Sequence, residues 1–278
     1  MTHTRSLNSE PGFRAKKRLG QHFLSDPGII QKIIAGARFL PSDLVLEIGP
    51  GLGALTIPLA RTVHHVVAVE KDEFLSRLLK EKLTLEGIAN VTVLTHDILQ
   101  FNFHEIHPPP SSKIQVIGNL PYNISSPILE KLLENRELIA RSILMFQLEV
   151  AKRLTASIGG KAYGAMTVLV QYHAHPTPLL EVSKGAFSPR PKVDSMVLEL
   201  DFERPYPEHA VHENKFKRVV KGAFAHRRKT LLNSLRGVFF SWDREELLRV
   251  MEKCDIDPSR RAETLDIEEF LCLASAAE

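Results

Sequence analysis

Short runs of apolar, mostly β-branched residues alternate with longer stretches of helical periodicity through the first two-thirds of the chain. This alternation predicts parallel strands joined by crossover helices, which is the pattern of an α/β domain. The predicted strands are 44–48, 66–69, 91–94, 114–117 and 142–146, and the helices between them are 52–61, 72–86, 125–134 and 149–157. Two further apolar runs, 168–170 and 197–200, are expected to be strands that close the sheet, with an antiparallel edge.

A proline-rich break at 205–207 separates this region from a C-terminal stretch with a different pattern. Beyond the break the pattern is helical only, which predicts helices at 213–225, 228–236, 243–253 and 266–275. We therefore divide the chain into a basic N-terminal arm (1–22), an α/β domain (23–205) and a small all-helical domain (206–278).

The composition is that of a folded globular protein, with 44% hydrophobic and 25% charged residues. No apolar run approaches the roughly 20 residues that cross a bilayer, and residues 1–20 contain no hydrophobic stretch typical of a secretory signal, so no membrane association is expected. Cys254 and Cys272 are the only cysteines, and they lie too far apart for a C-x-x-C motif. We expect no disulfide, no metal site and a cytoplasmic protein.

Positive charge is concentrated in two blocks, although the formal net charge is only +3. Residues 1–22 carry five lysines and arginines against one glutamate, and residues 214–236 carry eight against no acid. Two such blocks on an otherwise acidic chain are typical of a protein that binds RNA or DNA, whereas a single charge run is usually a solvated helical face. The residues that we expect to contact a nucleic acid are Lys17, Arg18, Lys221, Arg227, Arg228 and Lys229.

A glycine-rich turn and two carboxylates follow the first three predicted strands. Gly49 and Gly51 let the chain turn sharply and let a ligand approach the backbone, between a strand and a helix. Their spacing differs from the dinucleotide-binding pattern. Glu70 ends the second strand, where a carboxylate either accepts hydrogen bonds from both hydroxyls of a ribose or serves a helix N-terminus. Asp97 follows the third strand and either binds an adenine amino group or is an ordinary turn residue.

The fourth strand ends in the segment Asn119-Leu120-Pro121-Tyr122. The Asn119 side-chain oxygen and the Leu120 carbonyl can accept the two hydrogens of an exocyclic amino group, and Tyr122 can stack on a flipped base. The alternative is an Asn-x-Pro turn with a buried tyrosine. The first interpretation is favoured because ligands of open α/β sheets bind at the carboxyl ends of the strands.

Five segments together resemble the KsgA family of ribosomal RNA adenine dimethyltransferases. They are 119–127 (NLPYNISSP), 19–24 (LGQHFL), 187–195 (FSPRPKVDS), 224–233 (FAHRRKTLLN) and 260–263 (RRAE). The resemblance extends from about residue 17 to residue 271. It implies a Rossmann-like class I methyltransferase domain that uses S-adenosylmethionine, followed by the small all-helical domain.

The resemblance also implies roles for individual residues. The residues expected to bind the cofactor are His22, Leu24, Gly49, Gly51, Glu70, Asp97 and Asn119, and those expected at the reacting base are Asn119, Leu120, Tyr122 and Phe187. In this family position 22 is more often Asn; His22 can still hydrogen-bond the carboxylate end of the cofactor. Phe187 is either a core residue or the second ring that stacks on the target base.

The activity that the resemblance implies is dimethylation of two adjacent adenosines near the 3′ end of 16S ribosomal RNA, by a monomer acting on an assembly intermediate of the small subunit. Two alternatives stay open at this point. One is a related enzyme that methylates adenine in large-subunit ribosomal RNA and confers antibiotic resistance. The other is a non-catalytic assembly or transcription factor on the same scaffold, against which the intact Glu70, Asp97 and Asn119 argue.

Overall fold

The computed structural model describes residues 20–239 and 242–276. The chain divides into two compact units. The first comprises the described residues up to Ala151 together with Thr177–Phe202, and the second comprises Lys152–Pro176 together with the described residues from Glu203 onward. The second unit therefore takes in a segment that precedes the predicted boundary at residue 205.

A seven-stranded sheet with the order β4-β3-β2-β5-β6-β9-β7 forms the centre of the first unit. A separate antiparallel pair, β1 and β8, joins Leu24 to Phe187. The strands are β1 Phe23–Leu24, β2 Leu44–Ile48, β3 His65–Glu70, β4 Val91–Thr95, β5 Ile114–Asn119, β6 Ile139–Gln147, β7 His175–Val182, β8 Phe187–Ser188 and β9 Ser195–Asp201.

Helices connect the strands of the first unit and make up most of the second. Asp26 begins α1 by accepting hydrogen bonds from the N–H groups of Gly28 and Ile29, with Pro27 in the first turn. The helices are α1 Pro27–Ala37, α2 Thr56–Ala60, α3 Glu73–Leu85, α4 Ser125–Glu134, α5 Leu148–Leu154, α6 Ala165–His173, α7 Glu213–Ala223, α8 Leu231–Leu235, α9 Arg244–Lys253 and α10 Ile267–Ser275.

The strand order creates a crevice between β2 and β5. Strand β2 is parallel to both β3 and β5, and the chain builds outward from β2 to β4 on one side before it returns to β5 and β6 on the other. Ligands of open α/β sheets bind at such a reversal point, outside the carboxyl ends of the strands. The α/β fold with parallel strands and crossover helices is thereby confirmed, and β2 and α4 have the predicted bounds.

Two predictions about the end of the sheet are wrong. Residues 168–170 lie in α6, where all three are buried, so this short apolar run had no periodicity that could distinguish a helix from a strand. Residues 197–200 do lie in a strand antiparallel to β6, but that strand is internal. The edge is β7, which the sequence did not reveal because Pro176 and Pro178 interrupt it; an edge strand tolerates proline, since it has N–H groups that need no partner.

The second unit contains a disulfide, contrary to the prediction from cysteine spacing. Cys254 directly follows α9 and Cys272 lies within α10, with their Cα atoms 5.8 Å apart. Their separation of 18 positions hides this proximity in the sequence, because the chain turns back after α9. The predicted helix 228–236 is also shorter, since α8 begins only after Thr230 and residues 225–229 form a loop.

Candidate active site at the carboxyl edge of the sheet

A cavity of about 500 Å³ opens at the carboxyl ends of β2, β3 and β5. This volume is in the range of pockets that hold small molecules and cofactors. Seven of the residues predicted to bind a cofactor line it, namely His22, Leu24, Gly49, Gly51, Glu70, Asp97 and Asn119. We call the part around β2, β3 and β4 the cofactor half, and the part around Asn119, Tyr122 and His22 the target half.

The glycine turn brings bare backbone to the wall of the cofactor half. Gly49 and Gly51 have φ values of 68° and 56°, a backbone conformation that residues with a Cβ rarely adopt. The Gly51 N–H donates to Glu70 Oε2 and the Gly49 N–H donates to the Val69 carbonyl, both at 3.0 Å, so two short contacts hold the turn to the end of β3. A ligand can therefore approach the backbone at Gly49 without meeting a side chain, whereas the ring of Phe23 lies against Gly51.

Glu70 is fixed by main-chain donors. Its Oε1 accepts from the Asp72 N–H at 2.8 Å, and its Oε2 is the acceptor for Gly51. Burial raises the pKa of Glu70 above its ordinary value. The alternative role of Glu70 at the helix N-terminus is taken by Asp72, whose side chain accepts from Phe74 N–H at the start of α3. Because each carboxylate oxygen can accept a second hydrogen bond, the geometry leaves Glu70 suited to a ribose.

Asp97 forms an ion pair at the outer wall of the cofactor half. Its Oδ2 lies 2.6 Å from Lys71 Nζ, and its Oδ1 accepts from Leu99 N–H at 3.1 Å. Partial burial acts to raise the pKa of Asp97, but the Lys71 ammonium and the Leu99 donor outweigh it and hold that pKa below its ordinary value. Asp97 is thus a charged acceptor between the ends of β3 and β4.

Glu47 is a residue of this half that the sequence analysis missed. It lies in β2 on the cavity wall and is only 2% exposed, and its Oε2 has no hydrogen-bond partner among the described residues. Burial raises its pKa to about 7, and the charge of nearby Glu70 acts in the same direction. The signal was available, since a single acid inside the apolar run Leu44–Ile48 is expensive to bury without a purpose.

In the target half, the side chain of Asn119 is oriented by the backbone of His22. Asn119 Nδ2 donates to the His22 carbonyl at 2.8 Å. Because a carbonyl can only accept, this bond determines which end of the amide is nitrogen and leaves Oδ1 as the acceptor. Leu120, which follows at the end of β5, is 1% exposed and also lines the cavity.

The Tyr122 ring is held at its hydroxyl and on one face. Its hydroxyl lies 2.7 Å from Ser195 Oγ, and its ring stacks with that of His22 at a centroid distance of 5.7 Å and an interplanar angle of 29°. Burial raises the pKa of Tyr122 above its ordinary value. The His22 Nδ1 in turn lies 2.7 Å from the Pro189 carbonyl oxygen. The predicted contact of His22 with the carboxylate end of the cofactor stays a prediction.

Phe187 is not brought to the cavity wall. Its side chain is 5% exposed and packs in the core of the first unit, with the backbone of β8 paired to β1. Of the two interpretations weighed from the sequence, this burial is what a core residue shows. Stacking of Phe187 on a base stays a prediction, and it would require the side chain to leave this core position.

The predicted nucleic-acid contacts lie in the second unit or outside the described residues. Lys17 and Arg18 belong to the latter group. Lys221 is exposed on α7, and residues 225–229, which we call the basic loop, connect α7 to α8. Within this loop Arg227 donates to the Lys161 carbonyl and lies 3.8 Å from Glu263, whereas Arg228 and Lys229 are exposed.

Two features are absent from residues 20–239 and 242–276. These residues contain no cluster of three or more histidine, cysteine or acidic side chains arranged to hold a metal ion. Among them there is also no helix with the length and apolarity to cross a membrane.

The chain matches known proteins over nearly its whole length. Residues 12–273 match the family model described as ribosomal RNA adenine dimethylase. Proteins named ribosomal RNA small subunit methyltransferase A are 45% identical in Desulforapulum autotrophicum (99% of this chain, 96% of the relative) and 42% identical in Nitrosococcus oceani (94% and 96%).

Solved structures agree with these matches. A dimethyladenosine transferase from Plasmodium falciparum is 29% identical with a TM-score of 0.76, and covers 91% of this chain and 96% of its own. The 23S rRNA methyltransferase ErmE is 26% identical with a TM-score of 0.69, and covers 92% and 99%.

Proposed function

The chain belongs to the ribosomal RNA adenine dimethylase family, and from this premise we propose that it dimethylates two adjacent adenosines near the 3′ end of 16S ribosomal RNA. It is an S-adenosylmethionine-dependent ribosomal RNA adenine dimethyltransferase. The observation that carries the proposed chemistry is the orientation of Asn119, whose Oδ1 is left as an acceptor beside a cavity of nucleoside size.

The residues of the cofactor half fit S-adenosylmethionine. This molecule supplies an electrophilic methyl group on a positively charged sulfur, and it also carries an ammonium group. Three carboxylates line the cavity, and one of them, Glu47, has a buried oxygen without a partner among the described residues. A cationic ligand would offset the burial of that charge. Glu70 would hold the ribose hydroxyls and Asp97 the adenine amino group, while the turn at Gly49 lets the ligand approach the backbone.

The residues of the target half suit an adenine amino group. The lone pair of that nitrogen is delocalised into the ring, which makes it a poor nucleophile. Asn119 Oδ1 and the Leu120 carbonyl would accept its two hydrogens, hold the nitrogen in line with the methyl group and stabilise the positive charge that develops on it. Tyr122 offers the ring on which an extruded base stacks. A first methyl group removes one of the two hydrogens, and stacking would then hold the base for the second transfer.

We propose that the basic loop and the arm that carries Lys17 and Arg18 contact the backbone of the ribosomal RNA. In the loop, Arg228 and Lys229 are exposed, and eight lysines and arginines stand in 214–236 without an acid. The substrate would be an assembly intermediate of the small subunit in the cytoplasm, and the protein would act on it as a monomer. Curated relatives of at least 42% identity are named for the small subunit, which favours this substrate over the large subunit.

Methyl transfer from labelled S-adenosylmethionine to purified small- and large-subunit particles tests the proposed function. We expect dimethyladenosine in nuclease digests of small-subunit RNA, detected by mass spectrometry, preceded by a transient monomethyl species. The Asn119→Ala variant is the control for background transfer. Label found only in large-subunit RNA, or monomethyladenosine as the end product with excess enzyme, would contradict the proposal.

The role of the basic loop calls for a charge-matched comparison. The Arg228→Ala/Lys229→Ala double variant should weaken particle binding and reduce the salt dependence by up to about two phosphate contacts. Arg227 is left intact because it contacts Lys161 and Glu263. The control is Arg77→Ala/Lys80→Ala, which removes the same charge from exposed positions on α3. If particle binding had the same salt dependence in the two double variants, the basic loop would be an ordinary solvated surface and not an RNA contact.

A further inference from the structure

The disulfide of the second unit closes a segment of the chain that supports the basic loop. Cys254 directly follows α9 and Cys272 lies in α10, so the bond encloses residues 255–271, which we call the enclosed segment. Both cysteines are half-buried. A disulfide that solvent reaches in part is open to attack by a small thiolate.

The C-terminal end of the basic loop is attached to the enclosed segment by the backbone. Just after the loop, the Leu231 N–H donates to the Arg260 carbonyl at 2.7 Å, and the Leu232 N–H donates to the Pro258 carbonyl at 3.4 Å. These two bonds join the start of α8 to the turn between α9 and α10. The enclosed segment therefore determines where the basic loop ends.

A second attachment joins the middle of the basic loop to the same segment. Arg227 Nε lies 3.8 Å from Glu263 Oε2, and the Arg227 guanidinium also donates to the Lys161 carbonyl. The Glu263 carbonyl accepts from the Gly159 N–H at 2.8 Å, so Glu263 connects the basic loop with the loop between α5 and α6. The two exposed cations that follow Arg227 are thus held from both sides.

The disulfide limits how far the enclosed segment can open. Between α9 and α10 this segment contains only one short turn, Ala262–Thr264, among its described elements. A bond between two residues 18 positions apart excludes the conformations in which they separate. Once the bond is broken, local opening of the segment would release both attachments of the basic loop together. The order of the basic loop is therefore linked to the redox state of two sulfur atoms.

On the basis of the RNA contact in the proposed function, we propose that Cys254 and Cys272 form a reversible redox site that sets the affinity for ribosomal RNA. The oxidised protein holds the basic loop in place and binds tightly, whereas the reduced protein must order the loop on binding. Reduction consumes two molecules of a small thiol: the bond between the two sulfurs breaks, each gains a hydrogen, and the two donors leave as one disulfide. Oxidation by a small disulfide reverses these changes. Disulfides of cytoplasmic proteins are usually of this transient, redox-sensing kind.

The first measurement follows the bond and the loop in the full-length wild-type protein. The protein is equilibrated in glutathione buffers from oxidising to reducing, and free thiols are counted by alkylation and mass spectrometry. We expect no free thiol in the most oxidising buffer and two in the most reducing one. Hydrogen exchange at the amides of Leu231 and Leu232 should become at least about tenfold faster on reduction. Amides of β5 and β6, in the first unit, should exchange at unchanged rates.

The second measurement compares the binding of small-subunit particles in the same buffers at fixed salt concentration. Reduction should weaken binding by about threefold to tenfold, which is the cost of ordering one long side chain on association. Affinity for S-adenosylmethionine, measured by calorimetry, should not change, because the proposed cofactor residues lie in the first unit.

A form without the bond separates this effect from any action of the buffer on the particle. Cys254→Ser/Cys272→Ser should bind particles like the reduced wild type in every buffer, and its Leu231 and Leu232 amides should exchange fast throughout. Wild-type protein that has been reduced and alkylated at both sulfurs is a second such form, and it serves if the double variant folds poorly.

The contrary results separate the redox site from its premise. Two free thiols in the most oxidising buffer would overturn the redox site, and so would equal or tighter particle binding by the reduced protein. The premise is tested by Arg228→Ala/Lys229→Ala. If this variant binds particles as tightly as wild type, the proposed RNA contact of the basic loop is wrong and the redox control fails with it. If it binds weakly while wild-type binding is insensitive to the buffer, only the redox control is wrong.

Discussion

The two halves of the cavity are built from contacts of different range. In the cofactor half, Glu70 is fixed by main-chain donors of Gly51 and Asp72, and Asp97 by Lys71 and Leu99, and each of these contacts joins residues no more than 26 positions apart in the sequence. In the target half, the contacts of Asn119 with His22, of Tyr122 with Ser195 and of His22 with Pro189 span 97, 73 and 167 positions.

The electrostatics of the two halves differ as well. The cofactor half contains buried carboxylates, and burial raises the pKa of two of them, Glu47 and Glu70. In the target half, the contacts of Asn119 and Tyr122 join neutral groups. This suits a binding site for a cation on one side and, on the other, a site where charge appears only during the reaction. Variants in the cofactor half should therefore lower the affinity for S-adenosylmethionine, whereas variants in the target half should lower the rate of methyl transfer.

The largest effect is expected at Asn119. Asn119→Ala removes an acceptor that acts as charge develops, and loss of one such preorganised group typically lowers turnover by about 10²–10³-fold. Affinity for the RNA particle should change little, because the base can still stack on Tyr122. Asn119→Asp is the informative partner, since it keeps Oδ1 but places a second oxygen against the His22 carbonyl. A near-normal single-turnover rate for Asn119→Ala would contradict the assigned chemistry.

The next effect is a pH dependence of stability caused by Glu47. The unfolded chain ionises this acid near pH 4.5, whereas the folded protein retains the proton up to about pH 7. The contribution of Glu47 to the free energy of unfolding is therefore fully present below pH 4.5 and is lost as pH rises to 7, a difference of about 3 kcal/mol, because one pKa unit corresponds to about 1.4 kcal/mol.

Glu47→Gln removes this titration, so in cofactor-free protein its stability relative to wild type should rise between pH 4.5 and 7 and stay constant above. Urea unfolding at several pH values measures the difference. A parallel pair of stability curves would show that Glu47 is not the buried acid described here. Saturating S-adenosylmethionine should stabilise wild type more than the variant, because only wild type offers a charge to the cation.

A smaller loss is expected at Glu70. Glu70→Gln replaces one oxygen by an amide nitrogen that faces a main-chain donor, from either Gly51 or Asp72. Binding of S-adenosylmethionine should weaken by roughly 1.5–3 kcal/mol, as for other hydrogen bonds to a charged group. Calorimetric titration measures this loss, and single-turnover rates at saturating cofactor should be nearly unchanged. If Glu70→Gln bound S-adenosylmethionine normally but transferred the methyl group slowly, Glu70 would act with the target half, and the distinction between the two halves would be wrong.

The smallest effect is expected at Ser195, which lies in β9 and is fully buried. Ser195→Ala removes the partner of the Tyr122 hydroxyl, worth about 1 kcal/mol. Because a freer Tyr122 ring matters most after one amino hydrogen is gone, the monomethyl fraction should rise at intermediate times while cofactor affinity stays the same. The control is Tyr122→Phe, which loses the same hydrogen bond and should raise the monomethyl fraction to the same extent. If the fraction rose in Ser195→Ala alone, the cause would be altered packing around Ser195.

The sequence was informative where structure is local. The Gly49–Gly51 turn, Glu70 and Asp97 each follow an apolar strand, and parallel strands bring such positions to one edge whatever the rest of the chain does. The orientation of Asn119 could not be predicted, because it depends on a carbonyl 97 residues away. The same holds for Cys254 and Cys272, whose proximity depends on a turn of the chain between two helices. Phe187 was ambiguous because an aromatic residue before a proline-rich loop suits both a core and a stacking surface.

The position of β9 has a consequence for how the chain is made. It lies between β6 and β7 in the sheet, although it is the last of the three to be synthesised. A nascent chain that has emerged only as far as Val182 therefore holds β7 without its neighbour and leaves β6 as an open edge. Open edges pair readily with other strands. The growing polypeptide thus passes through an interval of exposure to aggregation that ends only when the residues up to Asp201 have left the tunnel of the ribosome.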